Sequence, residues 1–386
     1  MNKQAPSRHR LWSVLGMGAL AMYVLACSPA FSPDGNRLLV PILGPQGKAS
    51  IALYDLRTGK SETVFALTQA GGEITALGAQ WLPDGKQAVA LEAGEKELLM
   101  ALFAPGQAGA TRLMRFPTLS GEDIVNNVLL SAPIISNQVY LAGDKLNRID
   151  LKSGGLETRE TPDDTSNLIL YQRDNRLLYL AEKEVSDSKD ENKDEKTVRE
   201  AGWVDLSTLE LKPVYRLETD DTFAEICFPN RDGTRLALLQ EKEDKENVKR
   251  FSVVIFRNGK LEKRIPLDQQ LQVEEKSGLM AWSADEQALF VTFIAEGEDD
   301  QKQFGILEIP LVGGGAIRKI TLASRKAEKE SLVFIALSPN GKLLAATIQG
   351  PEARPDSTLY LVDLAKPERP VKKAALPNPF PEEAGQ

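Results

Sequence analysis

The chain has 386 residues, 42% hydrophobic and 26% charged, with 47 Lys and Arg against 55 Asp and Glu and a formal net charge of -8. That apolar fraction excludes global disorder, and the acidic balance lacks the basic face a nucleic-acid partner would need. Two cysteines and a single histidine complete the inventory.

The N-terminus reads as an export signal. Residues 1–10 carry Lys3, Arg8 and Arg10 with no acid, and an uncharged apolar run follows from Leu11 to Leu25. This run is shorter than the ~20 residues of a membrane-spanning helix and matches the apolar region of a signal peptide. Val24-Leu25-Ala26-Cys27 resembles the lipobox of bacterial lipoproteins. The resemblance implies removal of residues 1–26 and lipidation of Cys27, which anchors the chain to a membrane. Ser28 after the cysteine implies an address on the periplasmic face of the outer membrane or on the cell surface. His9 leaves with the leader, so the mature chain has no histidine.

Cys227 is then the only thiol left, which excludes an intramolecular disulfide. It lies in the apolar stretch Glu225-Ile226-Cys227-Phe228 and is expected to be buried and inert, because a reactive thiolate wants a cationic or histidine neighbour.

Repeats organise the rest of the chain. Five segments place a large apolar residue before a tight turn and an apolar strand after it. They are Phe31-Ser32-Pro33-Asp34-Gly35, Trp81-Leu82-Pro83-Asp84-Gly85, Phe228-Pro229 to Asp232-Gly233, Trp282-Ser283-Ala284-Asp285 and Leu337-Ser338-Pro339-Asn340-Gly341. Weaker copies surround Asn137 and Asp174-Asn175. Proline fixes φ, and glycine or asparagine supplies positive φ, so each copy predicts a β-hairpin. A second pattern, an apolar strand running into a polar turn, follows at Leu53-Tyr54-Asp55, Arg148-Ile149-Asp150, Trp203-Val204-Asp205, Val253 to Phe256, Ile306 to Ile309 and Tyr360 to Asp363. Gly313-Gly314-Gly315 is read as another hairpin turn, since a phosphate-binding loop requires a helix behind it.

Each repeat therefore holds four strands. Gly35 and Gly85 are 50 residues apart in the sequence, and seven copies of about 51 residues fill the mature chain, the size of a propeller blade. The expected fold is an all-β propeller of seven four-stranded blades over residues 27–375, with a Pro-rich tail at 376–386. The Pro-Asp-Gly segments resemble the WD40-like repeats of the translocation protein TolB and of the propellers of prolyl-oligopeptidase-type peptidases. That resemblance covers nearly all of the mature chain and implies fold far more than function. In blade 1 the span before the turn overlaps Leu25-Ala26-Cys27. Three outcomes stay open there: a short inner strand, cleavage elsewhere, or completion of the blade by the tail.

Alternation of strand direction puts the tight turns on one face and the blade-to-blade connections on the other. Long segments of the second face, 181–202, 240–250 and 295–303, fall in consecutive blades and are rich in acids. They supply Glu182, Glu184, Asp187, Asp190, Glu191, Asp194 and Glu195, then Glu296, Glu298, Asp299 and Asp300. These loops are either solvated tips or a docking surface for a basic protein partner. An EF-hand type calcium site does not fit, because Lys189 and Lys193 interrupt the acids and the required glycine is missing.

No catalytic constellation, metal site or cofactor is expected. Hydrolase triads and most zinc, copper and iron sites rely on histidine or paired cysteines. The leading expectation is a lipid-anchored, non-catalytic scaffold at the bacterial envelope. The alternatives are a small-ligand or glycan receptor using the central channel and a degenerate relative of propeller peptidases or lyases.

Overall fold

A computed structural model describes residues 28–43, 49–67, 74–94, 97–107, 109–119, 132–143, 145–162, 164–185, 196–217, 223–243, 249–267, 279–297, 301–325, 332–349 and 358–377. Cys27, expected to be lipidated, and most of the Pro-rich tail lie outside these residues. Among the described residues all regular structure is β, in seven four-stranded antiparallel sheets taken in chain order. Blade 1 comprises β1 (Ala30–Phe31), β2 (Arg37–Leu43), β3 (Ala49–Asp55) and β4 (Ser61–Leu67). Blade 2 has β5 (Ile74–Trp81), β6 (Ala88–Gly94), β7 (Leu98–Phe103) and β8 (Ala110–Phe116).

Blade 3 has β9 (Ile134–Ile135), β10 (Gln138–Ala142), β11 (Lys145–Asp150) and β12 (Leu156–Glu160), and blade 4 has β13 (Thr165–Arg173), β14 (Arg176–Val185), β15 (Lys196–Val204) and β16 (Leu211–Arg216). Blade 5 runs β17 (Phe223–Pro229), β18 (Arg235–Glu243), β19 (Lys249–Arg257) and β20 (Lys260–Pro266). Blade 6 runs β21 (Met280–Trp282), β22 (Ala288–Glu296), β23 (Lys302–Pro310) and β24 (Arg318–Arg325). Blade 7 is β25 (Leu332–Leu337), β26 (Leu343–Gln349), β27 (Thr358–Asp363) and β28 (Val371–Ala375). The first strands line a common axis and each fourth strand is an outer edge, a seven-bladed β-propeller.

Burial explains the pattern of the strands. Second and third strands are covered by neighbouring blades on both faces, so they carry near-continuous apolar runs such as Leu38-Leu39-Val40 and Val253-Val254-Ile255-Phe256, all buried. The fourth strands are mostly exposed, as in β12 and β20, and their charges blunt the open edges. The tight inner turns repeat one hydrogen-bonding device. In blade 1 the Ser32 hydroxyl donates to Asp34 at 2.5 Å and accepts from the Arg37 amide at 3.0 Å. Ser283 and Ser338 make the same pair of bonds in blades 6 and 7.

Among the described residues the ring closes without exchanging a strand between its ends. Blade 1 is built wholly from the start of the chain and blade 7 from its end. The seam is sealed by one apolar cluster in which Leu38, Val40 and Tyr54 pack with Ala345, Leu359 and Leu361. The Ser61 hydroxyl also donates to the Ala375 carbonyl at 3.0 Å across it. Of the three outcomes open for blade 1, the structure shows a short inner strand, two residues long. Blade 1 has four strands of its own, and residues 378–386 of the tail lie outside the described residues.

The sequence pattern missed one hairpin. β7 and β8 lack a turn aspartate, and Ala104 to Gly109 closes them instead, with the Gln107 amide donating to the Ala104 carbonyl at 3.0 Å.

Candidate functional site

The described residues at either end of the segments 181–202, 240–250 and 295–303 are mostly strand, while 186–195, 244–248 and 298–300 lie outside the described residues. β14 and β15 are 10 and 9 residues long, and β18, β19, β22 and β23 are each 9. The corresponding strands of blade 7 have 7 and 6. Three consecutive blades thus extend their central hairpins away from the tight-turn face. The strands at the bases of these segments are charged because a ribbon that leaves the ring meets water on both faces and needs no apolar alternation.

One stem acid is used internally. Glu182 lies on β14 opposite Arg199, which donates to it at 3.0 Å, and Asn167 donates to the same carboxylate at 2.6 Å. Glu184 sits opposite Thr197, and Glu296 ends β22 opposite Lys302. Cross-strand pairs of opposite charge stabilise such ribbons. Asp187, Asp190, Glu191, Asp194, Glu195, Glu298, Asp299 and Asp300 lie outside the described residues. Cys227 is on β17, opposite Leu238.

A second feature lies on the axis at the tight-turn face, in the channel that the small-ligand alternative names, though its lining residues were not singled out as a site in the sequence. The inner strands of blades 4 to 7, with Ser28 and Pro29, enclose a cavity of 640 Å³. Its polar wall is assembled by contacts between blades. From the end of β13, Arg173 donates through Nε to the Asn230 carbonyl at 2.7 Å and through Nη2 to the Pro229 carbonyl at 2.6 Å. Its Nη1 donates to the Gln172 carbonyl at 2.7 Å. Burial pulls this guanidinium down from the usual arginine range, while Tyr171, Glu286 and Asp174 act the other way.

Glu286 comes from blade 6. It occupies the turn position that glycine fills in blades 1, 2, 5 and 7, and has φ of 57°. Its carboxylate accepts from Asn230 Nδ2 at 2.8 Å and from the Arg231 amide at 3.1 Å. The apolar wall is formed by Phe228, Met280, Trp282 and Leu337. The Trp282 indole N–H donates to the Phe228 carbonyl at 2.8 Å, as Trp81 does to Ala30 at 3.0 Å. The detectable signal in the sequence was the Glu standing where the other turns have Gly.

Among the described residues no group of three or more His, Cys, Asp or Glu side chains could hold a metal ion. No protein-family model matches the sequence, and no curated protein matches it. The fold does match solved structures. The β-propeller domain of the Trilobed protease from Pyrococcus furiosus, described as having an open velcro topology, superposes with a TM-score of 0.52 at 12% identity, covering 92% of this chain and 98% of that one.

A complex of KlAtg21 with the coiled-coil of AgAtg16 gives a TM-score of 0.52 at 12% identity, over 92% of this chain and 100% of that chain. A chain of the Mitotic Checkpoint Complex gives 0.50 at 12% identity, over 83% and 86%. At such identities the likeness shows the fold alone.

Proposed function

We propose that this chain is a lipid-anchored, non-catalytic β-propeller scaffold of the TolB-type repeat class, held at the bacterial envelope through Cys27, that docks a basic protein partner on its long-hairpin face. The observation that carries the reading is the extension of the central hairpins in three consecutive blades, 4, 5 and 6. Glu182 at the base of the first hairpin is already paired with Arg199, and the acids between the paired strands, Asp187 to Glu195 and Glu298 to Asp300, are the groups offered to a partner. Two of the similar folds are described in protein complexes, a use of the fold that this reading shares.

The test is affinity capture of the full chain from mildly solubilised membranes, beside a variant with residues 186–195 replaced by a Gly-Ser linker. A stoichiometric partner held by the first and lost by the second is the expected result. A partner retained by both sinks the reading. Cys27→Ala should release the protein into the soluble fraction; a variant that stays in the membrane would assign the anchor to the apolar segment.

A further inference from the structure

We propose that the axial cavity at the tight-turn face binds a small organic anion, a single carboxylate carried on an apolar body, with Arg173 as its anchor. At 640 Å³ the cavity falls in the size range of small-molecule sites. Arg173 has five N–H donors and spends three of them on main-chain carbonyls, which leaves one on each terminal nitrogen. Among the described residues no carboxylate forms an ion pair with it. The two nearby acids are committed elsewhere, Glu286 to Asn230 and the Arg231 amide, and Asp174 to Arg231 at 3.6 Å.

A half-buried guanidinium with carbonyl partners and no carboxylate in hydrogen-bond reach, on which Glu286 and Asp174 act only through space, is an expensive arrangement. It is relieved when an anion enters the space the guanidinium borders. Facing it, Met280, Trp282 and Leu337 supply an apolar surface, and the indole N–H is already spent, so this wall selects an apolar body. The charge around the mouth selects a monoanion. Arg173 and Arg231 are balanced by Asp174 and Glu286, so a phosphate dianion would be repelled where a carboxylate is accepted. The site lies on the face opposite the long hairpins and stands or falls independently of the partner proposed there.

The experiment is titration calorimetry of the purified full chain in detergent with N-acetyl-L-phenylalanine, with its amide, and with inorganic phosphate. The acid should bind saturably, with the amide and phosphate each at least about tenfold weaker. Arg173→Gln should weaken the acid by at least about tenfold. Because Arg173 also clips blade 4 to blade 5, a second variant leaves it in place. Ala336→Leu narrows the cavity and should abolish binding while retaining the wild-type melting temperature. Equal affinity for acid and amide, equal affinity for phosphate, unchanged binding by Arg173→Gln, or no binding of the acid at about 10 mM would each overturn the proposal.

Discussion

Glu286 in blade 6 accepts a hydrogen bond from Asn230 in blade 5 at 2.8 Å, from a backbone position that four sister turns give to glycine. A left-handed φ costs a non-glycine residue about 1 kcal/mol, and two bonds to a carboxylate return more than that, about 1.5–3 kcal/mol each. Glu286→Gly installs the residue that the turn prefers, yet it should lower stability by about 1–2 kcal/mol in chemical denaturation. A gain in stability would mean that the inter-blade bonds contribute nothing.

Glu92 on β6 is 5% exposed, and its Oε2 has no hydrogen-bond partner. Burial, with Glu97 adding to it and Arg115 opposing, pushes its carboxyl up to about 7. An unfolded glutamate titrates near ~4.3, so the folded chain holds the extra proton between those values. The associated stability is fully present below the unfolded value and is lost as pH rises through about 7. Glu92→Gln should therefore stabilise by about 1–2 kcal/mol at pH near ~8 and change little near ~5. Melting curves at the two pH values decide it, and equal increments at both would contradict the assignment.

The seam between blades 1 and 7 depends on apolar packing because, among the described residues, no strand crosses it. Leu38, fully buried in the seam cluster, is expected to cost about 2–5 kcal/mol on replacement by Ala, read as a fall in the denaturation midpoint. A loss below about 1 kcal/mol would show that the ring closes by other means.

The architecture was legible because Pro-Asp-Gly turns carry their geometry locally: proline and glycine fix φ whatever surrounds them, and buried strands on either side read as apolar runs. The seven blades followed from that spacing. The β7 to β8 hairpin was hidden because its turn uses Pro105 and Gly106 without the aspartate that caps the corresponding turns of blades 1, 3, 4 and 7. In blades 1, 3 and 4 that aspartate accepts from two successive amides, Asp55 from Arg57 and Thr58, Asp150 from Lys152 and Ser153, and Asp205 from Ser207 and Thr208.

The candidate sites were less legible for two physical reasons. Glu182 and Arg199 meet only when β14 and β15 pair in register, so an acid counted as free was already matched. Arg173, Asn230 and Glu286 come from three blades, 113 residues apart at the extremes of the sequence. Only ring closure brings them together around the cavity.

The hairpin-face assignment is tested most directly by site-specific photo-crosslinking in cells. A photoreactive residue is placed at Asp190 or Asp299 on the hairpin side, and at Asp84 on the tight-turn face as the comparison. The expected result is one discrete adduct from the first two positions and none from the third. The same adduct from Asp84, or adducts from that position alone, would contradict the docking role given to the long hairpins of blades 4 to 6.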